Sequence, residues 1–151
     1  MRALVQRVLE ATVTSAPERG GTAEITGHIG PGLVVFVGVT HDDDHATATK
    51  LADKLWNLRI FPDAVDAMNA SCADVGGEVL VVSQFTLYGD ARTGRRPSYL
   101  AAARPEHAEP LVEAVEARLR DLGATVAAGR FRTHMEVALV NDGPVTLFLE
   151  V

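Results

Sequence analysis

The sequence predicts a single α/β domain in which two main helices cover a mixed β-sheet. The chain has 151 residues and a hydrophobic content of 47%, which is enough for one compact domain with a real core. Short apolar runs typical of strands alternate with two stretches of helical periodicity. Some runs are joined by short turns and others by helices, so antiparallel and parallel pairing should coexist. Because no linker, repeat or low-complexity tract interrupts the chain, residues 1–151 are predicted to form one domain.

Apolar runs in the first part of the chain predict two strand pairs. The pairs are Met1–Val8 with Ala11–Ser15, two short strands around a bend, and Ala23–Ile29 with Leu33–Val39. A loop over Ala16–Gly21 separates the pairs, and Gly30-Pro31-Gly32 joins the strands of the second. Since residues 33–39 are apolar throughout, this strand should lie centrally, with both faces covered.

Helical periodicity appears twice. A first helix should begin after Thr40–Asp44 and run to about Leu58, and a second should span Pro105–Leu122 and stop at Gly123. Between them, Arg59–Pro62 reads as a short extended piece and Asp63–Gly77 as a long connection. The remaining strands are predicted at Glu78–Gln84, Thr125–Ala128, Glu136–Asn141 and Val145–Val151.

Composition narrows the cellular setting. No apolar stretch is long enough to cross a bilayer and no signal-peptide pattern is present, so we expect a cytoplasmic protein without a membrane partner. The single cysteine, Cys72, cannot form an internal disulfide. Nothing beside it in the sequence would lower the pKa of its thiol, which predicts an inert side chain.

The charge distribution allows a small anionic partner. The net charge is −6, yet residues 91–105 contain no acidic side chain and four arginines, Arg92, Arg95, Arg96 and Arg104. Phosphate binding needs local positive potential, so this island suits a few contacts at the tip of an RNA and not a long DNA duplex. Alternatively, the island is a solvated loop whose arginines pair with carboxylates elsewhere.

Two other chemistries are weakly indicated. The segment His41-Asp42-Asp43-Asp44-His45 could offer metal ligands, but it precedes a helix, where aspartates satisfy free N–H groups. Helix capping is therefore the preferred interpretation, and no metal or other cofactor is expected. Ser83 lies in no Gly-x-Ser-x-Gly elbow, and no histidine falls in a recognisable triad motif.

Two distant segments carry the most specific signal. Ser83-Gln84-Phe85-Thr86-Leu87 closes a buried strand, at the position where ligand sites often lie, and Asn141-Asp142-Gly143-Pro144-Val145-Thr146 forms a turn between apolar strands. With Met1–Val8, Gly30–Val34 and Arg95–Ser98, they resemble the D-aminoacyl-tRNA deacylase family in order and over nearly the whole chain. The resemblance implies the family's fold, a homodimer, and hydrolysis of the ester between a D-amino acid and tRNA.

The resemblance also implies site residues. Ser83, Gln84, Phe85 and Thr86 would stabilise the tetrahedral oxyanion and orient substrate and water, with the tRNA's ribose hydroxyl assisting. Thr86 corresponds to a residue that is either a nucleophile or a positioning group; positioning is favoured because an unactivated hydroxyl attacks poorly.

Chiral selection would come from the other segment. By the same resemblance, Gly143-Pro144 is a cis peptide that enters the partner subunit's site, holds the substrate's amino group and excludes L side chains, but admits glycine.

The resemblance further assigns RNA contacts. Phe131 and Met135 would bind the terminal adenosine, and Arg95 and Arg96 would bind tRNA. The chain departs from the family at Arg132-Thr133-His134, where Phe131 is usually followed by Gly-Ala.

Two rival functions stay open. A sister deacylase that edits an L-amino acid mischarged on tRNA has Pro-Gln-Ala-Thr in place of Ser83–Thr86 and a trans Gly-Pro bond. From a different class, the chain could be a non-catalytic module that binds tRNA or a synthetase.

Overall fold

The computed structural model describes residues 1–151, and it consists of eight strands, three α-helices and one 3₁₀ turn. The strands are β1 Arg2–Ala16, β2 Glu24–Ile29, β3 Gly32–Gly38, β4 Arg59–Pro62, β5 Met68–Ser71, β6 Glu78–Ser83, β7 Thr125–Ala128 and β8 His134–Glu150. The helices are α1 His45–Trp56, α2 Cys72–Val75 and α3 Pro105–Asp121, and the 3₁₀ turn covers Phe85–Tyr88.

Strand β1 organises the main sheet. It pairs antiparallel with β3 through its first half, with β2 through its second half, and with β8 along nearly its whole length. The predicted division into Met1–Val8 and Ala11–Ser15 around a bend is therefore wrong, because β1 is one strand whose pairing with β8 continues past Val8 through two shifts in register. The predicted pairing of β2 with β3 is also wrong: both pair with β1, one after the other.

The other side of the sheet is parallel. β3 pairs with β6, and β6 with β7, which gives the order β2-β1-β3-β6-β7 with β8 on the free edge of β1. The sheet curls until β7 approaches β2, since a Cβ on Gly27 would lie 3.1 Å from the carbonyl oxygen of Ala128. The mixed single-domain fold is confirmed, and the near-barrel curvature adds to the prediction.

Two apolar cores lie on opposite faces of this curled sheet. The larger one packs α1 and α3 against β1 and β3, with Leu51, Leu55, Val115 and Leu119 fully buried. The smaller one fills the inside of the curl with side chains such as Val13, Val34 and Leu80. β3 is buried along almost all of its length, as its uninterrupted apolar sequence predicts.

The helix ends follow local chemistry. The Asp44 side chain accepts from the Thr47 N–H at 2.8 Å and caps α1, and Pro105 occupies the first turn of α3. Gly123 follows α3 with a φ of +96°, a conformation that favours glycine.

The predicted long connection 63–77 instead contains β5 and α2, which is capped by reciprocal hydrogen bonds between Ser71 and Asp74. None of the helices is both long and apolar enough to cross a membrane.

Gly32 should be required for the parallel pairing of β3 with β6. A Cβ at Gly32 would lie 1.9 Å from the carbonyl oxygen of Glu78, whereas a Cβ at Gly30 would meet nothing nearer than 3.7 Å. Gly32→Ala should therefore lower the free energy of unfolding by about 3 kcal/mol or more, and Gly30→Ala by less than about 1 kcal/mol. Urea denaturation of both variants tests this, and equal midpoints would contradict the strand geometry.

Candidate active site

A pocket opens at the carboxyl ends of the parallel strands. It has a volume of about 680 Å³ and is bounded by the ends of β3 and β6, the first turns of α3 and the start of β8. Its lining is mostly apolar and includes Ser83, Gln84, Phe85, Phe131 and Met135. Side chains predicted from two distant parts of the sequence thus meet in one cavity, at the sheet edge where ligands of α/β proteins bind.

The segment 83–88 turns sharply as it leaves β6. The Gln84 N–H donates to the Val37 carbonyl at 2.7 Å and anchors the turn to β3, and the Leu87 N–H donates back to the Gln84 carbonyl at 3.2 Å. These bonds leave the N–H groups of Phe85 and Thr86 at the start of a 3₁₀ turn, where backbone donors have no partner within the turn. Gln84 Nε2 donates to Thr86 Oγ1. Thr86 is exposed and lies beside the pocket without lining it.

Neighbouring elements fix the position of this turn. Gly38 allows close packing, because a Cβ there would be 3.0 Å from the Leu87 Cβ and 3.1 Å from the Gln84 carbonyl oxygen. The Arg2 guanidinium lies over the Tyr88 ring at 4.4 Å and donates to the Leu87 carbonyl at 3.0 Å. Tyr88 is buried, and burial together with the nearby Asp43 raises the pKa of its phenol to about 12. The tyrosine therefore remains neutral and serves as a packing residue.

Aromatic and thioether side chains form much of the pocket wall. The Phe85 ring is 58% exposed and meets Tyr99 edge to face, with ring centroids 5.1 Å apart. Phe131 and Met135 are half-buried; each packs against one of the two cores while presenting a surface to the cavity. Both a core role and a binding role are therefore open to these two residues.

The arginine island divides into separate parts. Asp90 and Ser98 exchange two backbone hydrogen bonds of 2.8 Å that close the loop 91–97. Within it, Arg92 forms a two-point ion pair with Asp90, and hydrogen bonding to Arg92 holds the pKa of that carboxyl well below its usual range. Arg95 and Arg96 are exposed, unpaired and outside the pocket lining. The alternative interpretation, pairing with a carboxylate, therefore applies to Arg92 only, and Arg95 and Arg96 are free to bind an anion.

The segment that contains Gly143 and Pro144 protrudes from the sheet. Thr146 pairs with Gln6 and Asn141 with Val8, so residues 142–145 of β8 stand opposite Arg7 alone. The Asn141 carboxamide closes the base of this excursion by donating to the carbonyls of Arg7 at 2.9 Å and Val145 at 3.1 Å. Gly143 and Pro144 at its tip are exposed.

Arg7 supports this protrusion from below. Its guanidinium is largely buried, donates to the Ile60 carbonyl and lies 2.8 Å from the Asp142 carboxylate. Arg7 Nε is close enough to the Asp142 carboxylate to form an ion pair, but the angle does not allow a hydrogen bond. Sequence reasoning gave Arg7 no role, although a charged residue inside an apolar strand is a signal that such a residue is buried against a specific partner.

One chain does not bring the two predicted motifs together. Ser83 is level with Val37 of β3, whereas the excursion is opposite Arg7, which pairs with Leu33. Four residues along a strand and three strand spacings across the sheet put the motifs roughly 20 Å apart. The predicted combination of Gly143-Pro144 with Ser83–Thr86 therefore requires a second copy of the chain.

The predicted cis peptide is not present. Every peptide bond is trans, the Gly143–Pro144 bond included, and Gly143 has a φ of +105°. The physical reason is local: glycine tolerates this left-handed φ, so the chain reverses at the tip without a cis bond. A Cβ on Gly143 would also lie 2.6 Å from the Arg7 guanidinium, which makes glycine necessary at this position.

The segment 41–45 has a structural role. Asp44 caps α1, and the buried Asp43 carboxylate pairs with the Met1 amino group at 2.6 Å and accepts from the Thr40 N–H at 2.8 Å. His41 bonds to the Leu100 carbonyl at 2.9 Å. The preferred interpretation as a helix start is confirmed.

The Ser83 hydroxyl makes no hydrogen bond to a histidine, although His134 lines the same pocket.

Comparison with known proteins places the chain in a family. Residues 4–150 match the family model described as D-Tyr-tRNA(Tyr) deacylase. The chain belongs to this family. Among its relatives, proteins named D-aminoacyl-tRNA deacylase from Nocardia farcinica and Heliobacterium modesticaldum are 58% and 57% identical. Each alignment covers 99% of this chain, and 99% and 96% of the respective relative.

Solved structures agree with this family fold. One named "c-Myc DNA Unwinding Element Binding Protein" superposes with a TM-score of 0.89 at 35% identity, covering 100% of this chain and 99% of the other. Another, of a probable eukaryotic D-amino acid tRNA deacylase, has a TM-score of 0.84 and covers 99% and 98%. At 13% identity, the second shows a shared fold only.

Cys72 should be unreactive in the folded protein. The thiol is fully buried, and burial raises its pKa to about 12. At pH 8 the thiolate fraction is then about one part in ten thousand, so alkylation should be at least about 100-fold slower than in denatured protein. Iodoacetamide labelling with and without urea measures the ratio. Complete labelling of native protein within minutes would contradict this placement of Cys72.

Proposed function

We propose that this protein hydrolyses the ester bond of D-aminoacyl-tRNA, and of glycyl-tRNA, while rejecting L-aminoacyl-tRNA. The observation that carries the proposal is the pocket in which the Ser83–Phe85 turn faces Phe131 and Met135. Its volume of about 680 Å³ is suited to a nucleoside together with an amino acid. Membership of the deacylase family over residues 4–150 supports the assignment.

Ester hydrolysis at this site depends more on hydrogen-bond donors to the oxyanion than on a basic side chain. Water adds to the ester carbonyl, the tetrahedral oxyanion collapses, and the bond to the ribose oxygen breaks as that oxygen takes a proton. The Phe85 N–H and the Gln84 carboxamide would stabilise the oxyanion. An amide NH₂ has two hydrogens, and since one is held by Thr86 Oγ1, the other is left for the substrate. Thr86 is thus assigned a positioning role, and the neighbouring ribose hydroxyl assists the water.

Selectivity would come from a partner copy of the chain. Gly143 and Pro144 are exposed at the tip of an excursion that Asn141 and Arg7 support, a shape that can enter a neighbouring pocket. Their carbonyl oxygens would accept from the substrate's ammonium group, and their rigid backbone would occupy the space of an L side chain. Glycine has no side chain and escapes this exclusion. The proposal therefore includes a homodimer.

One observation favours a second candidate. A trans Gly143–Pro144 bond is the geometry expected of the sister deacylase that removes an L-amino acid. Ser83 and Phe85 differ from the Pro and Ala of that type. The two candidates differ in the hand of the ester that they cleave, so one experiment separates them.

Hydrolysis of matched esters tests the activity. With D-Tyr-tRNA, L-Tyr-tRNA, L-Ala-tRNA and Gly-tRNA at catalytic enzyme concentrations, the D-tyrosyl and glycyl esters should be lost and both L esters should survive. L-Ala is included because rigid exclusion is weakest against the smallest side chain. Gln84→Ala should slow hydrolysis about 100- to 1000-fold, the usual cost of removing one oxyanion donor.

Other outcomes identify the rivals. Cleavage of L-Ala-tRNA with D-Tyr-tRNA intact would establish the sister activity. Survival of every ester, with retained tRNA binding that Arg95→Ala/Arg96→Ala abolishes, would establish a non-catalytic binding module.

A mixed dimer tests whether Pro144 acts across subunits. Pro144→Ala alone should cleave both D- and L-Tyr-tRNA. A dimer of one Gln84→Ala chain and one Pro144→Ala chain, isolated with two different affinity tags, would hold one site with an intact turn and an intact partner proline. This dimer should therefore cleave D-Tyr-tRNA and spare L-Tyr-tRNA.

The opposite arrangement gives a different result. If Pro144 served the pocket of its own chain, the only active site of the mixed dimer would lack proline and would cleave both esters. Pro144→Ala is preferred to Gly143→Ala here, because a Cβ at Gly143 would also collide with Arg7. A monomeric protein would contradict the dimer itself.

A further inference from the structure

Two arginines line the pocket without any partner. Arg104 lies where the chain enters α3, and Arg132 lies in the loop between β7 and β8. Neither side chain makes an ion pair or a hydrogen bond, and no carboxylate is among the lining residues. A mostly apolar cavity that is lined by two exposed, unpaired arginines and by no acidic residue suits a ligand with an apolar part and an anionic part.

Arg104 is placed against local preference. It occupies the N-cap of α3, where Ser, Asp or Asn would cap the helix, and its side chain makes no capping bond. A cation is also disfavoured beside the positive end of a 17-residue helix. The local helix chemistry therefore does not explain this arginine, whereas an anion in the pocket would be attracted by the arginine and the helix end together.

Arg132 is also placed against local preference. Its φ is +57°, in the left-handed region that glycine adopts easily and other residues seldom do. Such a backbone persists where the surrounding structure imposes it, and it is concentrated at binding and catalytic sites. Thr133 helps to impose it by donating to the Arg130 carbonyl at 2.7 Å.

We infer that Arg104 and Arg132 form a phosphate clamp that binds the 5′-phosphate of the substrate's 3′-terminal nucleotide. The inference rests on the proposed function, which places the terminal base against Phe131 and Met135 and the ester carbonyl at the Ser83–Phe85 turn. A base and an aminoacyl group held at these two places leave the 5′-phosphate as the anionic group of the terminal nucleotide. Guanidinium forks match phosphate oxygens in two-point hydrogen bonds.

The clamp should contribute binding and not chemistry. The phosphate keeps its charge throughout ester hydrolysis, so the arginines hold substrate and transition state equally. Removal of the clamp should then raise KM and leave kcat nearly unchanged. Arg104 and Arg132 are substrate-binding residues in this scheme.

Small ligands test the clamp without the rest of the tRNA. Binding of 5′-AMP and of adenosine would be compared by calorimetry in the parent protein, in Arg104→Ser, in Arg132→Gly and in the double variant. Serine suits the N-cap position of Arg104, and glycine suits the positive φ of Arg132, so neither replacement should lower thermal stability. Arg120→Ala, on the same helix and paired only with Glu116, is the matched control.

The parent should bind 5′-AMP about tenfold more tightly than adenosine, as expected for a charge-assisted two-point hydrogen bond. The double variant should lose this preference while its affinity for adenosine is unchanged, and Arg120→Ala should keep it. The same pattern in KM is expected for 3′-D-tyrosyl esters of 5′-AMP and of adenosine. With D-Tyr-tRNA, the salt dependence of KM should become shallower, by about 0.7 in log–log slope for each arginine–phosphate ion pair that the substitutions remove.

The outcomes separate the clamp from the proposed function. A preference for 5′-AMP that the double variant loses, in a protein that hydrolyses no ester, would support the clamp and contradict the deacylase. Ester hydrolysis with equal affinity for 5′-AMP and adenosine would overturn the clamp and retain the deacylase. Unaltered KM of the phosphate-bearing ester in the double variant would also overturn the clamp. Tight binding of 5′-AMP with no effect of the clamp variants on tRNA hydrolysis would assign the site to free nucleotides.

Discussion

The parallel pairing of β3 with β6 is the constraint on which the pocket depends. The register runs from Gly32 opposite Glu78 to Val37 opposite Ser83, and it begins where Gly32 lacks the side chain that would meet the neighbouring backbone. This register places the Val37 carbonyl to accept from the Gln84 N–H. The chain must then leave the sheet in a 3₁₀ turn against Gly38. The donors of the site are therefore positioned by strand register, which is more rigid than a free loop.

A second long-range pairing, that of β1 with β8, sets the other half of the proposed site. Because residues 142–145 stand opposite Arg7 alone, the excess backbone has to leave the sheet as a protrusion. The same pairing holds this protrusion about a strand's length away from Ser83. If Ser83–Thr86 and Gly143-Pro144 act on one substrate, as proposed, two copies of the chain have to supply them, and a two-fold dimer would do so with one kind of contact used twice.

The sequence predicts elements better than it predicts pairings. The central β3, helix α3 and the end of β6 at Ser83 lie where the sequence predicts them. Their signals are local, since apolar runs mark the strands, and a proline at the start and a glycine after the end mark the helix. The continuity of β1 is not a local property: residues 9 and 10 are both exposed and break the alternation of the strand, and only β8 on the far edge keeps it extended. The sequence does not reveal β5 within Asp63–Gly77, because a strand of four residues is too short to show a clear apolar pattern. Ser83, Gln84 and Phe85 share a pocket with Phe131 and Met135, whereas Gly143 and Pro144 lie elsewhere on the same chain. The positions of Arg7 and Tyr99 follow only from tertiary contacts.

Two places in this chain combine residues that local preference does not explain, and both belong to the proposed function. Arg132 adopts a glycine-like φ, and Arg104 stands at a helix N-cap that it does not cap; both face one pocket. At the opposite end of the sheet, a buried Arg7 supports an exposed Gly143-Pro144 tip. Other departures from local preference lie apart from both places: Asp66 also has a positive φ, and Pro110 lies inside α3. Serine at position 104 and glycine at position 132 would each suit the local backbone better, so the proposed phosphate clamp would account for two residues that local preference does not.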